Sequence, residues 1–218
     1  MSLEELEDSK KINMEQDLRT DIFKELVNIG YAHSADALSM ILFEGVLMQQ
    51  VDFEGDVSKY RSSNPGTNFI LLKTELMGEL SGISYLYISE QQAKVVFDKC
   101  LPEWDGNNPD SRKEMEKAIL MEIDNMLAAS VVTKLSNLLG VNLYGGVPEI
   151  MVLTDKETDQ LFEQQQKEFP GASCYSYFRP LSAQSFQPGF TWFFGDDFKE
   201  KVNALAEDDS KRALISGD

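Results

Sequence analysis

A 97-residue internal repeat limits the fold of this chain more than any other feature. Laying residues 22–42 on 119–139 matches seven of 21 positions: Ile22/Ile119, Glu25/Glu122, Asn28/Asn125, Ala32/Ala129, Leu38/Leu135, Ser39/Ser136 and Leu42/Leu139. Shared helical periodicity accounts for the apolar matches. It does not account for a Glu and an Asn repeated at the same spacing. The repeat therefore predicts two similar halves, 15–101 and 110–206, building one domain over 15–206. Neither half can bury its apolar helix face alone, so both stripes are expected to share a core.

Each half opens with a long amphipathic helix. The first is predicted over Asp17–Phe43, with Ile22, Leu26, Ile29, Leu38, Ile41 and Leu42 on the buried side and Gly45 ending it. Gly30 interrupts it at a cost of about 1 kcal/mol relative to Ala, which points to a close approach by another element. The second is predicted over Ser111–Gly140, where Ser111 and Glu114 form a capping-box pattern and Gly140 a stop. Its stripe reads Ile119, Ile123, Met126, Val131, Leu135 and Leu138.

Strand-like runs follow each helix. Val46–Phe53, Thr67–Lys73 and Leu80–Ile88 are rich in β-branched and aromatic residues, and the loop with Gly78 pairs the last two antiparallel. Asn64-Pro65-Gly66 is a turn signal. Ser89 caps a short helix that ends near Pro102, and 102–110 reads as a linker. Val141–Leu153 reads as a strand containing Pro148, a residue that belongs at a sheet edge or bulge. A polar helix over Thr154–Phe169, strands over Ala172–Arg179 and Phe190–Phe194, and a last helix capped by Asp196 or Asp197 complete the second half. SGISYLYI (81–88) and PGFTWFFG (188–195) correspond loosely across the repeat. The predicted class is α+β: a duplicated, pseudo-two-fold domain with a mostly antiparallel central sheet and two long helices. Residues 1–14 are expected to be disordered and 207–218 a flexible tail.

Charge narrows the partners. Twenty Lys and Arg against 37 Asp and Glu give a net charge of −17. Such a surface repels nucleic-acid phosphates and anionic membranes and favours a basic protein patch. Cys100 and Cys174 stand far apart outside any CxxC pattern, as expected of reduced cysteines in a cytoplasmic protein. No apolar run approaches the roughly 20 residues of a membrane span. The acidic N-terminus has no apolar signal core. No phosphate-binding loop, zinc spacing, nucleophile elbow or dinucleotide loop is present.

The chemistry rests on Glu122 with Asn125 and on Glu25 with Asn28. Residues at i and i+3 share one helix face. Asn is a poor mid-helix residue, because its side chain competes for backbone hydrogen bonds. Its presence in both helices, three residues after Glu, argues for a use. An uncharged amide can orient a water beside an anion that a carboxylate would repel. A neighbouring carboxylate can hold a cationic group. Together they suit in-line attack of water on a phosphoryl group, where positioning does most of the work.

Glu-x-x-Asn, 22 residues and then Pro resembles the signature of the CheC/CheX/FliY chemotaxis phosphatases. Glu122, Asn125 and Pro148 carry it in full. ELVNIGYAHSADALSMIL in the first half resembles the other active-site segment of CheC-type members in its Asn-Ile-Gly and Ala-Leu-Ser parts. Gly78 and Gly82 resemble the family's Gly-x-x-x-Gly strand entry. The resemblance covers about residues 20–155 and is weak over the last sixty. The first half departs from the pattern: Val51 replaces Pro, and Tyr31 and His33 replace small residues beside Gly30.

The resemblance implies a phosphatase acting on a phosphorylated CheY-like response regulator. The regulator would bring the aspartyl phosphate, a bound Mg²⁺ and a lysine, so no cofactor of the chain's own is expected. Asn125 would place the attacking water and Glu122 would pair with the lysine. Glu25 and Asn28 would form a second catalytic pair. Pro148 and Gly30 would be structural, and His33 a tolerated residue. Two copies of the motif favour a monomer. The competing expectation is a non-catalytic adaptor that binds a response regulator, the deamidase CheD or the flagellar switch. A third is a plain α+β ligand-binding domain, for which no pocket motif is visible.

Overall fold

The computed structural model describes residues 3–53, 67–101, 109–182 and 186–207, with side chains from residue 19 onward apart from 50–53. Helix α1 spans Leu3–Leu42 and strand β1 Val46–Phe53. Strands β2 (Asn68–Gly78) and β3 (Gly82–Ser89) lead into helices α2 (Glu90–Cys100) and α3 (Pro109–Leu139). Strands β4 (Leu143–Gly145) and β5 (Glu149–Thr154) precede helix α4 (Asp155–Glu168). Strands β6 (Ala172–Pro180) and β7 (Gly189–Phe194) and helix α5 (Asp196–Ala206) complete the chain.

Every strand pair is antiparallel, in the order β1-β6-β7-β3-β2, with β4 and β5 both on the free edge of β2. The central strands β3 and β7 are buried along almost their whole length. Their side chains alternate between two cores, as the two-residue strand period requires. Leu72, Leu76, Leu86, Phe190, Trp192 and Phe194 face the layer that contains α1 and α3. Phe69, Leu71, Tyr85, Tyr87, Tyr175 and Phe193 surround Phe162 of α4 in a smaller aromatic cluster.

The pseudo-two-fold is visible in the register. β3 and β7 pair from Gly82↔Phe194 to Tyr87↔Gly189, so exchanging the halves maps the pairing onto itself. The outer strands correspond as well. β1 pairs with β6 through a register shift between Gln50 and Asp52, which leaves Val51 out of the ladder. β2 meets Gly145 at Leu76 and Glu149 at Lys73, so its edge partner also carries one extra residue. Val51 and Pro148 are 97 apart and occupy equivalent bulges.

The halves are also interlocked. β1 of the first half pairs with β6 of the second, and β4 and β5 of the second pair with β2 of the first. Neither half has a complete sheet of its own. α1 and α3 cross at small residues. A Cβ on Gly30 would lie 3.2 Å from Val131 Cγ1, and Ser34 Oγ donates to the Leu127 carbonyl at 2.9 Å. Exchanging the halves turns the 30–131 contact into 127–34. The helices therefore run antiparallel through the pseudo-two-fold axis, and Gly30 is the close approach that its position predicted.

Several sequence expectations need correction. α1 begins at Leu3, so residues 3–14, expected to be disordered, continue the helix; Leu, Glu, Lys, Gln and Met are good helix formers. α3 begins at Pro109, which places Ser111 inside the helix instead of at its cap; Pro suits the first helical turn. The buried stripe of α3 is Leu120, Ile123, Leu127, Val131, Leu135 and Leu139, with Ile119, Met126 and Leu138 at its margin. α1 ends at Leu42 before Gly45, with Phe43 at φ +52°. The predicted strand 141–153 is two strands separated by the Pro148 bulge. The N-cap of α5 is Gly195; Asp197 instead accepts from the Ser81 backbone N–H at 2.7 Å. The turn at 64–66 and the tail from 208 lie outside the described residues, as does most of the linker. Ser89 caps α2 as expected, in a capping box with Gln92, and Thr154 forms a further box with Glu157.

Candidate functional site

Glu122 and Asn125 sit in the middle of α3, one turn before its crossing with α1, and both are exposed. With 3.6 residues per turn, Ala118, Glu122, Asn125 and Ala129 fall on one face, and all four are exposed. The pair therefore projects from a flat strip of small neutral residues, which leaves space for a partner at van der Waals distance. The rest of the turn is fixed: Ile123 and Leu127 are buried, and Ser130 Oγ donates to the Met126 carbonyl at 2.8 Å.

Glu25 and Asn28 occupy the equivalent turn of α1, with Glu25 exposed and Asn28 half-buried. The antiparallel crossing places the two pairs on opposite sides of the axis, eight helical residues apart, or about 12 Å at 1.5 Å per residue. The two pairs are therefore separate along the crossing and do not form one cluster. The flanks differ. Asp21, Ala32 and Asp36 line the exposed face of α1 where Ala118, Ala129 and Thr133 line that of α3. Asp21 lies 3.9 Å from Lys24. His33 is exposed beside this face.

The support beneath the pairs differs more. Asp124, between Glu122 and Asn125 in sequence, points inward and is fully buried. It accepts a 2.6 Å hydrogen bond from Thr74 Oγ1 of β2, while its Oδ1 has no hydrogen-bond partner among the described residues. Burial pushes this carboxyl up to about 7, opposed only by the Thr74 hydroxyl. Its counterpart in α1 is Val27, which is buried and apolar. α1 is tied instead by Tyr31, whose hydroxyl donates to the Phe190 carbonyl at 3.2 Å and lies 3.2 Å from Cys174 Sγ. Burial raises the Tyr31 hydroxyl well above the usual tyrosine range. The counterpart of Tyr31 is Ala128. Sequence reasoning passed over Asp124; the signal was an acid at an inward position where the other helix has Val.

Pro148 is buried in the edge-strand bulge, at the start of β5. There its missing N–H costs no ladder bond. Gly146 N–H, two residues before it, donates to the Glu75 carbonyl at 2.8 Å. Pro148 thus sits where the edge strand that follows α3 is interrupted. Among the described residues no cluster of His, Cys, Asp and Glu could hold a metal ion, and no helix is long and apolar enough to cross a membrane.

Residues 115–152, from α3 through the bulge, match the CheC-like family. The chain is 29% identical over 136 residues to a protein named CheY-P phosphatase CheC from Bacillus subtilis, covering 60% of this chain and 64% of that one. The α3-to-bulge segment is thus similar in sequence to CheC-like proteins. Thermotoga maritima FliY superposes with a TM-score of 0.59 at 19% identity, over 85% of this chain and 94% of that one. A chain of the CheX–CheY–BeF₃–Mg²⁺ complex from Borrelia burgdorferi superposes with a TM-score of 0.51 at 17% identity, over 78% and 97%. At these identities the structures speak for the fold alone. The match spans 64% of the Bacillus subtilis protein's length, less than two thirds of it.

Proposed function

We propose that this chain is a phosphatase that hydrolyses the aspartyl phosphate of a CheY-like response regulator, with Glu122 and Asn125 as its principal site. The observation that carries the reading is their joint exposure on one rigid helix face, with only Ala118 and Ala129 beside them in line. A helix has no cleft to offer, so the substrate must be presented by a folded partner whose own pocket holds the phosphoryl group. The Bacillus subtilis relative's name, a CheY-P phosphatase, supports the same substrate class.

In this mechanism Asn125 enters the regulator's phosphorylation pocket and holds a water through its side-chain amide. The water oxygen forms a bond to phosphorus as the bond from phosphorus to the aspartyl oxygen breaks. The products are inorganic phosphate, which retains the water's protons according to pH, and the free aspartate. Glu122, one turn earlier, pairs with a lysine of the regulator and sets the angle of entry. A Mg²⁺ held by the regulator would supply neutralisation of phosphoryl charge, and this chain's own residues contribute placement. Glu25 and Asn28 form a second, weaker site of the same kind.

The alternative is an adaptor that binds a regulator, a CheD-type deamidase or a flagellar-switch component without hydrolysis. The half-buried Asn28 and the acidic flanks of α1 favour such a role for the first face. The deciding assay follows loss of aspartyl phosphate from a phosphorylated regulator of the same organism. Acceleration over the regulator's own decay, removed by Asn125→Ala, is expected. Binding without acceleration would leave the adaptor.

A further inference from the structure

We propose that Asp124 is a positioning residue for this site: through Thr74 it clamps the catalytic turn of α3 to strand β2 and so fixes the direction in which Asn125 projects. The inference rests on the phosphatase reading of Glu122 and Asn125 and adds a residue that touches neither water nor phosphate.

The geometry is specific. Consecutive helix residues are about 100° apart around the axis, so a group that holds Asp124 inward sets the roll of the adjacent Asn125 outward. Apolar packing of Ile123 and Leu127 resists translation but tolerates small rotations. A 2.6 Å hydrogen bond to a strand does not. The receiving strand is itself held: Ser84 Oγ of β3 donates to the Thr74 carbonyl, and Gly145 of β4 packs at the Thr74 methyl. The clamp therefore joins α3 to the three strands β2, β3 and β4. The first helix has Val27 at this position and no equivalent tie, so the clamp belongs to one site only.

A buried acid with one unpartnered oxygen holds its site best as the neutral form. Burial raises its affinity for a proton, and Thr74 provides the one opposing hydrogen bond. The groups around it leave this unchanged. On β2 the neighbouring Lys73 and Glu75 point to the other sheet face, where they pair with each other and Lys73 also with Glu149 of β5. On β3 the facing group is the uncharged Ser84, and on β4 it is Gly145. On α1 the charged residues Lys24, Glu25 and Asp36 lie away from the buried side, as Glu122 does on α3. Loss of the proton above neutral pH places a charge under the turn and loosens it.

The test uses the full chain and a CheY-like regulator carrying its aspartyl phosphate. Asp124→Val, which installs the residue of the other half, should lower kcat about tenfold with KM within about twofold, as expected when orientation and not binding is lost. Asp124→Asn, which keeps an acceptor for Thr74, should restore kcat and flatten its dependence on pH between 6 and 8. Thr74→Val removes the bond from the strand side and should match Asp124→Val even where that variant folds poorly. Amide hydrogen exchange at residues 122–126 should rise with pH beyond the intrinsic rate in the wild type and not in Asp124→Asn. An active wild type beside equally active Asp124→Val and Thr74→Val variants overturns the inference alone. A wild type that leaves the regulator phosphorylated overturns the reading beneath it, and the inference with it.

Discussion

The two helix–strand units of this chain follow one backbone plan and differ in what fills it. α1 and α3 cross at equivalent turns, end at equivalent left-handed residues and lead into edge strands bulged at equivalent positions. Inside that plan the anchors are different. Tyr31 reaches across to β6 and β7, whereas Asp124 reaches down to β2. Val51 fills one bulge and Pro148 the other. Phe43 is forced to φ +52° where the other half has Gly140 at +63°. The comparison teaches that duplicated backbone geometry is held by position-specific contacts. One half can keep a site while the other changes its support.

The first way to break the comparison is to remove each amide in turn. Asn125→Ala should lower phosphatase turnover by about 100-fold, the scale for losing one well-aimed polar group, whereas Asn28→Ala should lower it far less. Equal losses would erase the ranking, and unchanged activity in the double variant would refute both sites. Turnover of the phosphorylated regulator measures all three.

Bulk at the shared crossing tests what the halves have in common. Gly30→Val adds atoms at a contact already 3.2 Å from Val131 and should destabilise the fold by about 1–3 kcal/mol in urea unfolding. Because the crossing lies between both sites, the folded fraction of this variant should be impaired at both.

Proton linkage separates the anchors. The folded-state value for Asp124 lies near 7 against a reference of 3.8. Between those pH values the native chain binds more protons than the unfolded chain, so this residue's contribution makes stability fall as pH rises from about 4 to 7. Asp124→Asn should therefore be more stable than wild type at pH 8, with the advantage shrinking as pH falls and vanishing near pH 4. A Tm difference independent of pH would contradict the buried-acid assignment. Tyr31→Phe, in the other half, should show no such crossover.

The smallest expected effect is at the helix ends. Phe43 is 87% exposed, so its ring adds little burial while its backbone bears the left-handed cost. Phe43→Gly should stabilise the chain by about 0.5–1 kcal/mol, and Gly140→Ala should destabilise it by a similar amount. Thermal unfolding of the two single variants would show whether the ends are equivalent.

Much of the candidate site was legible in the residues. Glu122 and Asn125 stand out because an Asn in mid-helix is unfavourable and its recurrence 97 residues from Asn28 is hard to attribute to periodicity. Pro148 announced an edge or a bulge, and both are present. Gly30 announced a close approach, and Val131 provides it. The direction of each inward side chain was less legible. Of the stripe read over α3, Ile123, Val131 and Leu135 are buried, while Ile119, Met126 and Leu138 each lie one residue from a buried position, since neighbouring apolar residues satisfy the same period until a partner surface selects a face.

By itself, the sequence determined the duplication, the α+β class, the two long helices and the chemistry available to the Glu–Asn pairs. These are local or periodic properties, set by side-chain type and spacing. Only the tertiary structure decided that each half completes the other's sheet, that Tyr31 and Asp124 are anchors, and that Glu122 and Asn125 stand clear on a neutral face. Those outcomes depend on contacts between residues 50 to 159 positions apart. No local pattern encodes such contacts, because the partner of a buried polar group is chosen by where the strands lie once the whole sheet has formed.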